Sequence, residues 1–599
     1  MRRNDELDPG LDKYLANGDL DLDRSGIIND AGEAEPDGVV TTADVVAPSI
    51  FGDIIFGSGN DTLTASAGSI NGAIDFGSGA NVFTLTGAAP ETQTTSFAGT
   101  LTSSGTLDVT VSGLSSLTLV EQEELGSAPL SSLTLDGAAN LGVIIDPAKI
   151  TPGMAVIVAD TLVLNGDEYT ISPHLTALVA EPYSFTIIET GSDLSALNDT
   201  INNQIGSEVG YVYNVELSTH DLGATQSIDA TFSLKSAEEL GLNTVETAAY
   251  RVVLSYFTDN AALGHALTDL NDAESFTAAF DQILPQYGDG TMLLQAAMLE
   301  AANGAVGERL RLITKGGQAR AHWWVQQQGA HIDRTATSEA PEISGSGFGI
   351  AFGYDARVGR LDALGILGQM MWTNIDEGNG ALSDAHAEMF GLGAYAAENF
   401  GPVLWNLNAT VGIGSMRSER TVTVSSVSDL LSADWDGTQY AVSTGLQVPM
   451  LKGAHKLQAE ISGDYYRLDH DNFSETETYN SGLAMQVENG NSSLASASIG
   501  LRGQYDVATR ARDDISVVPS YFLGYRSIVA HDRYQADVSF VGGGERFTVM
   551  SQDMPEDRAI IGVSLAANNP YFALEVGSRS EFGGDTEIIS GGASLRVNF

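Results

Sequence analysis

The chain has 599 residues, and its 78 Asp and Glu against 28 Lys and Arg give a formal net charge of −50. So large a negative charge argues against nucleic acid as a partner, because nucleic acid is itself a polyanion. The chain has no Cys, which excludes disulfides, thiolate metal sites and Cys nucleophiles. No apolar run reaches the ~18–20 residues of a spanning helix, so any membrane span must be built from strands.

The first segment, residues 1–46, is acidic and is predicted to be disordered. It lacks the apolar core and small-residue cleavage site of a signal peptide, so we expect a truncated or mis-started N-terminus. Four oxygen donors are spaced as at positions 1, 3, 5 and 9 of an EF-hand calcium loop: Asp21, Asp23, Ser25 and Asn29. Position 12 is Gly32 instead of a bidentate acid, so a solvated acidic tail is favoured over a Ca²⁺ site.

The second segment, residues 47–235, is rich in Gly, Ser, Thr and Ala and contains short strand-like runs separated by turns. Two motifs return within it. Phe56-Gly-Ser-Gly-Asn has a counterpart at Phe76, 20 residues on, and Leu114-Ser-Ser-Leu-Thr-Leu has one at Leu130, 16 residues on. Repeats of one strand and one turn bury little alone and depend on stacking with their neighbours. The segment is therefore predicted to be β-solenoid-like.

The third segment, residues 236–316, has apolar residues at the three- and four-residue spacing of helices. Leu284-Pro285 ends one predicted helix. Thr291 to Thr314 predicts another, which is rich in Ala and carries polar groups unsuited to lipid. At 1.5 Å per residue it spans ~36 Å, close to the ~30 Å hydrocarbon core of a membrane. So slim a helix could lie inside a barrel; an ordinary packed helix is the alternative.

The last segment, residues 317–599, alternates apolar and polar residues in about twelve runs, most of them ten residues or longer. Transmembrane strands need ~9–11 residues, whereas globular strands average ~5–6. Length therefore favours a 12-stranded antiparallel transmembrane β-barrel over a soluble β-sandwich. One face of each run is apolar, with aromatic residues near the ends, and the other is charged, polar or Gly, which predicts a wet lumen. The whole chain is thus predicted to be mainly β, with a helical linker.

This order of a repeat-rich β segment, a helix and about twelve strands resembles a type V autotransporter. Two stretches carry the resemblance: FDQILPQYGDGTMLLQAAMLEAANGAVGERLRL before the barrel, and the closing SLRVNF. The likeness covers Ser236 to Phe599, while residues 47–235 resemble part of a passenger in general texture. Porin-like outer-membrane channels and secreted calcium-dependent β-rich binding proteins are the alternative readings.

The resemblance implies a protein of the bacterial outer membrane whose passenger lies on the cell surface. It implies insertion into lipid by the outer-membrane barrel assembly machinery, with periplasmic chaperones, and a recognition signal in the final strand formed by Leu595, Val597 and Phe599. It also implies that the barrel exports its own passenger and that the pore helix then plugs the lumen. A surface solenoid most often serves adhesion, so a cell-surface ligand is expected.

Catalysis is not predicted. The sequence contains no G-x-S-x-G, H-E-x-x-H, P-loop or dinucleotide motif, and no cofactor is expected. Some autotransporters cleave their passenger at an Asn of the pore helix, and Asn303 is the only Asn of that helix here. Ala302 replaces the first Asn of the self-cleaving subgroup, so an ordinary polar helix residue is favoured. The one dense cluster of His and acids, Asp469-His470-Asp471, is expected in an exposed loop.

Overall fold

The computed structural model describes residues 48–598 except 89–93, 121–129, 151–152, 288, 314–320, 338–340, 379–382, 506, 509–514, 554–556 and 570. The chain divides into two compact units. The first extends to Lys235 and includes Leu267–Asp272. The second comprises Ser236–Ala266 and the chain from Ala273 onward.

The first unit is a stack of mostly parallel strands in three sheets. In chain order its strands are β1 (Ser49–Phe51), β2 (Ile54–Ile55), β3 (Thr62–Ala65), β4 (Gly68–Asn71), β5 (Ile74–Asp75), β6 (Ala80–Gly87), β7 (Thr95–Gly99), β8 (Leu101–Thr102), β9 (Thr106–Gly113), β10 (Ser115–Val120), β11 (Leu130–Asp136), β12 (Asn140–Ile145), β13 (Ala155–Asn165), β14 (Thr170–Leu175), β15 (Tyr183–Thr190), β16 (Tyr213–Asp221) and β17 (Gln226–Leu234). Two 3₁₀ turns, Ser195–Leu197 and Ile201–Gln204, follow β15. The three sheets have the orders β1-β4-β7-β10-β12-β14, β3-β6-β9-β11-β13-β15-β17-β16 and β2-β5-β8.

The predicted solenoid is confirmed by this parallel stacking, and its 20-residue repeat is one turn of the coil. Ser49 pairs with Ser69 in the first sheet, and the rings of Phe56 and Phe76 stack with centroids 5.1 Å apart. Gly77 has a φ of +62°, and a Cβ there would lie 2.0 Å from the carbonyl oxygen of Gly57. The turn that stacks on the preceding one therefore requires Gly at this position.

The 16-residue repeat is not a turn of the coil. Its two copies lie in β10 and β11, which belong to different sheets. Leu117 of the first copy pairs with Leu141, 24 residues on, whereas Leu133 of the second pairs with Val109 and Leu162. Every sheet of a solenoid has the same need for alternate inward Leu, so similar sequences recur at spacings that are not the rung length.

Four helices follow: α1 (Thr244–Asp259), α2 (Ala261–Thr268), α3 (Ala273–Ile283) and α4 (Gly290–Ile313). Asn243 caps α1 by accepting from the backbone N–H groups of Val245 and Glu246 at 2.9 Å, and the Glu246 carboxylate accepts from the N–H of Asn243 at 2.7 Å. This capping box fixes where α1 begins. Among the described residues, the model has no helix that is both long and apolar enough to cross a membrane.

The second unit is dominated by a closed antiparallel barrel. Its strands and the short strands between them are β18 (Ala321–Arg334), β19 (Ile343–Val358), β20 (Leu361–Glu377), β21 (Ser383–Phe400), β22 (Val403–Val424), β23 (Val427–Leu451), β24 (His455–His470), β25 (Phe473–Ser474), β26 (Thr476–Glu477), β27 (Met485–Tyr505), β28 (Val507–Ala508), β29 (Ser516–Phe540), β30 (Phe547–Met550), β31 (Asp557–Asn568), β32 (Phe572–Gly583) and β33 (Thr586–Asn598). Twelve form the wall, in the order β18-β19-β20-β21-β22-β23-β24-β27-β29-β31-β32-β33, and the first strand, β18, pairs with the last, β33, to close it. The predicted twelve-stranded barrel is confirmed.

The two ends of the barrel differ. Where β18 begins and β33 ends, the described turns are short: two residues separate β19 from β20 and β21 from β22, and three separate β23 from β24. At the other end several strands extend further, as in β23 with its 25 residues. The short strands β25, β26 and β30 lie in the connections there. Outer-membrane barrels have short periplasmic turns and longer extracellular loops, which assigns the first end to the periplasm and the second to the cell exterior.

The outer surface of the barrel is apolar and edged by aromatic residues. Leu407, Val411 and Ile413 of β22 are exposed on it. Trp323 packs on Tyr354 near the periplasmic end, with ring centroids 4.9 Å apart, while Phe348 and Trp372 stack nearer the exterior. This arrangement suits lipid flanked by two interfaces.

Candidate functional site: the lumen and its helix

The helix α4 lies within the barrel. At its N-terminus, a Cβ on Gly290 would touch Ile343 and Ile375, which lie at the extracellular ends of β19 and β20. Eleven residues on, the carbonyl of Ala301 accepts from Gln326 Nε2 at 2.9 Å, near the periplasmic start of β18. The helix therefore passes through the lumen from the exterior towards the periplasm, and the predicted Thr291–Thr314 differs from it by one residue at each end.

One side of the lumen, which we call the apolar wall, is the inner face of β18 to β22. Met298 of α4 faces two glycines of β19, and a Cβ on Gly347 or Gly349 would lie 3.0 Å from its side chain. The apolar wall and α4 share one buried cluster, and Leu468 and Leu494 of the opposite side contribute to it near the exterior. Its members from α4 and the apolar wall are Met292, Leu293, Leu294, Ala296, Ala297, Met298, Leu299, Ala330, Ile332, Ile343, Met371, Ile375, Ala385, Ala387, Met389 and Met416. The predicted wet lumen therefore does not extend to this side, where α4 packs on a dry surface.

The other side, which we call the arginine wall, is the inner face of β27 to β32 and carries Arg502, Arg526, Arg558 and Arg579. Glu300 of α4 pairs with Arg526 and, at 2.8 Å, with Arg579. Glu581 lies 3.0 Å from Arg579 and 3.6 Å from Arg526. These groups are largely buried, and a carboxylate there requires such partners. Glu300 thus fixes the rotation and depth of α4.

The arginine wall does not close on the helix. A cavity of about 160 Å³ remains between them, lined by Glu300, Arg502, Arg579 and small residues such as Gly562 and Ser590. Phe522 projects into this region with the guanidinium groups of Arg502 and Arg579 at 5.0 and 5.5 Å from its ring centre. Cations are attracted to aromatic faces at such distances, so Phe522 holds both guanidinium groups beside the cavity.

A second buried ion pair holds the linker between α3 and α4 at the extracellular end. Arg420 of β22 binds Glu475 through two hydrogen bonds of 2.6 and 2.8 Å. The same guanidinium donates to the carbonyls of Gln282, Ile283 and Leu284 at 2.5, 3.1 and 3.2 Å. These carbonyls end α3, where the helix dipole favours a positive charge.

The residues between α3 and α4 are buried as well. The Tyr287 N–H donates to Glu377 at 2.7 Å, and burial, together with nearby Asp281, raises the pKa of the Tyr287 phenol. Asp289 accepts from Ser492 Oγ at 3.0 Å, and its burial raises the pKa of its carboxyl despite nearby His531. The linker is therefore part of a packed extracellular layer that ties α4 to the barrel.

The helix α1 covers two extracellular connections of the same unit. Tyr256 stacks on Phe540 at the end of β29, with ring centroids 4.0 Å apart in nearly parallel planes. On the rim, Arg251 pairs with Glu545. A Cβ on Gly542 would lie 2.2 Å from the Tyr256 hydroxyl, so this connection depends on Gly for its close approach to α1.

The residues predicted as sites fall in three places. Asn303 of α4 accepts a hydrogen bond from Asn408 of the barrel. Leu595 and Val597 lie on the outer face of β33, and Val597 pairs with Trp323 across the closing strand pair and with Phe572 on the other side. Phe599 and the four calcium candidates lie outside the described residues: Asp21, Asp23, Ser25 and Asn29.

The loop expected around His470 is a strand end. His470 is the last residue of β24, is half-buried, and accepts a hydrogen bond from Trp435 Nε1 at 2.9 Å. Its neighbour Asp469 pairs with Arg467 on the outer surface. The described residues contain no group of three or more His, Asp or Glu arranged to hold a metal ion.

The geometry so far defines a twelve-stranded outer-membrane barrel that encloses a helix supplied by the chain before it. Residues 323–577 match the family model described as the autotransporter beta-domain. The barrel of this chain is an autotransporter beta-domain, and the protein belongs to the bacterial outer membrane. No curated protein matches the chain.

Solved structures of autotransporters also align with the barrel. The translocator domain of NalP from Neisseria meningitidis is 14% identical, with 51% of this chain and 99% of that chain covered and a TM-score of 0.36. The beta domain of Bordetella Brka is 15% identical, with 47% and 100% covered and a TM-score of 0.34. The transport unit of AIDA-I from Escherichia coli is 11% identical, with 49% and 98% covered and a TM-score of 0.32. At such scores these likenesses support no conclusion of their own.

Proposed function

We propose that this autotransporter exports its own N-terminal segment through the barrel to the cell surface and that α4 then fills the lumen as anchor and plug. The proposal rests above all on the path of α4. The helix enters at the extracellular end beside Ile343 and runs towards the periplasmic start of β18. A chain that is threaded in this way has its upstream residues outside and its barrel in the membrane.

The proposed division follows the chain: an acidic start at 1–46, a passenger at 47–235, a junction with the pore helix at 236–316, and the barrel at 317–599. Folding of the solenoid outside the cell could drive its export without ATP, because each new turn buries its apolar side chains against the previous one. The rings of Phe56, Phe76, Phe83 and Phe97, which contact one another in sequence, illustrate the burial that accompanies each added turn.

The partners proposed for assembly are outer-membrane lipid, the barrel assembly machinery and periplasmic chaperones. Leu595 and Val597 support this, since they lie on the lipid-facing side of the strand that closes the barrel. For the passenger we propose adhesion to a ligand at the cell surface and no enzymatic activity. That role rests on the solenoid architecture alone, and fold does not fix function.

Export is tested by expressing the full chain with an added signal peptide and treating intact cells with protease. The expected result is that the passenger is digested while the barrel stays protected and migrates faster on gels before boiling than after it. Cells that express the same chain without the signal peptide serve as the control. A passenger that is digested only after the cells are lysed would contradict export, and it would favour a porin-like channel with a periplasmic appendage.

A further inference from the structure

Three arginines of the arginine wall lie close together beside one carboxylate of the strands, Glu581, that pairs with two of them. Arg526 of β29 and Arg558 of β31 face each other in register, and both are almost fully buried. Arg579 of β32 lies beside them and shares Glu581 with Arg526. Like charges so close together in a buried site need carboxylates to compensate them.

The helix supplies part of that compensation. Glu300 is the α4 carboxylate that pairs with Arg526 and Arg579, so these two arginines lose a partner whenever α4 is absent from the lumen. Arg558 is only 2% exposed, and within the described chain its Nε and Nη2 have no hydrogen-bond partner even with α4 in place. The wall therefore has donor capacity beyond what the plugged barrel uses.

The segment that must pass the wall is acidic. Between Arg24 and Lys235 the only basic residue is Lys149, whereas Asp and Glu occur along the whole stretch. Carboxylates and guanidinium groups form strong charge-assisted hydrogen bonds, and they attract each other more strongly where water is scarce. The acidic segment and the arginine wall are therefore chemically complementary.

We propose that the arginine wall is a binding site for the carboxylates of an acidic polypeptide in transit, and that Glu300 takes over this site when export ends. The proposal rests on the export function proposed above. Arg526 and Arg558 form one level of the site. Arg502 and Arg579 form a second level nearer the periplasm. Arg502 is in register with Phe522, Phe522 with Gly562, and Gly562 with Arg579. Two levels allow a passing carboxylate to be handed from one pair of arginines to the next.

The first arm of the test changes the wall. The full chain with an added signal peptide is pulse-labelled, and the surface appearance of its passenger is followed by protease treatment of intact cells. Arg558→Gln is expected to slow this appearance by about tenfold, as for the loss of one hydrogen bond to a charged group. The matched control is Arg417→Gln, which removes an exposed arginine that pairs with Glu419 elsewhere on the barrel. Heat-modifiable migration reports whether each variant folds.

The second arm leaves the barrel unchanged and alters the passenger. Asp136, Asp160 and Glu216 are exposed on the solenoid, so replacing all three by Lys should not disturb its core. The wild-type barrel is expected to export this passenger several-fold more slowly than the unaltered passenger. Arg558→Gln should speed export of the Lys-bearing passenger, whereas it slows export of the unaltered one. Equal export rates for the acidic and the Lys-bearing passengers would overturn the proposal, even if Arg558→Gln fails to fold. Failure of the unaltered chain to reach the surface would instead contradict the export function.

Discussion

The two walls of the lumen hold the same helix by different means. Against the apolar wall, α4 is fitted by shape: the glycines of β19 leave space that Met298 fills. Against the arginine wall it is held by charge, through Glu300, while a cavity remains beside it. Close packing tolerates little change in volume, whereas an ion pair can be exchanged for another of the same kind.

Under the proposed export function, this difference separates two tasks of one pore. The apolar wall provides the dry, closely fitted surface that makes the final position of α4 stable. The arginine wall stays polar and leaves a cavity, as the proposed transit of a hydrated chain requires. A lumen with two apolar walls would bind its helix tightly but would offer a passing acidic segment nothing to replace its lost water.

The largest effect is expected from Glu300→Ala. The substitution leaves Arg526 and Arg579 without their helix partner, and breaking a buried ion pair costs about 3–5 kcal/mol. The full-length protein in planar lipid bilayers should change from a mostly closed to a frequently open state that prefers anions, because the arginine wall then faces the water. Single-channel conductance and reversal potentials measure both effects.

The control for this experiment is Glu545→Ala, which removes an exposed partner of Arg251 on the extracellular rim. Such exposed pairs contribute little, so its conductance should equal that of the unaltered protein. If Glu300→Ala stayed as closed as the control, the apolar wall alone would be sufficient to hold α4, and the arginine wall would have no part in the plugged state.

A smaller effect is expected on the apolar wall from Gly347→Val. The new side chain would begin 3.0 Å from Met298 Sδ and 3.1 Å from Thr373 Cγ2, and overpacking of this kind typically costs about 1–3 kcal/mol. The variant should lose its heat-modifiable form at a lower temperature than the unaltered protein. Adding Met298→Ala should restore part of the loss, because it removes the atoms that clash. A double variant less stable than Gly347→Val alone would contradict close packing at this point.

Much of this architecture could be predicted from the sequence, since it depends on local periodicity. The two-residue alternation from Val403 to Ile413 predicts both a strand and the side of it that faces lipid. The Ala-rich run from Thr291 predicts the pore helix to within one residue at each end. The solenoid followed from the 20-residue repeat at Phe56. The 16-residue repeat does not predict the length of a turn, because every sheet of the coil needs alternate inward Leu residues.

The division of the lumen into two walls could not be predicted in the same way. Alternation separates inward from outward residues, but it does not say which inward residues touch a helix. One signal was present in β20, where Met370, Met371 and Trp372 interrupt the alternation because both faces of the strand are apolar. No local pattern could pair Arg420 with Glu475, 55 residues away, because that contact depends on the connection after β24 folding back beside β23.

The smallest effect is expected from Asn303→Ala, where α4 contacts β22 of the apolar wall. Asn303 accepts a hydrogen bond from Asn408, so its amide is engaged in a contact that positions the helix, and Ala302 precedes it where a self-cleaving helix has Asn. We expect the passenger to remain covalently attached in both the unaltered and the variant protein, with a loss of stability of about 1 kcal/mol, as for a single hydrogen bond. Asn408→Ala removes the other partner and should cause a loss of stability of similar size.

A barrel-sized fragment of the unaltered protein that disappears in Asn303→Ala, but persists in Asn408→Ala, would instead identify Asn303 as a cleavage site. In that case Glu300 and Met298 would lie on the passenger side of the cut, so their contacts with the two walls, and not a covalent bond to the barrel, would decide whether that part of α4 stays in the lumen.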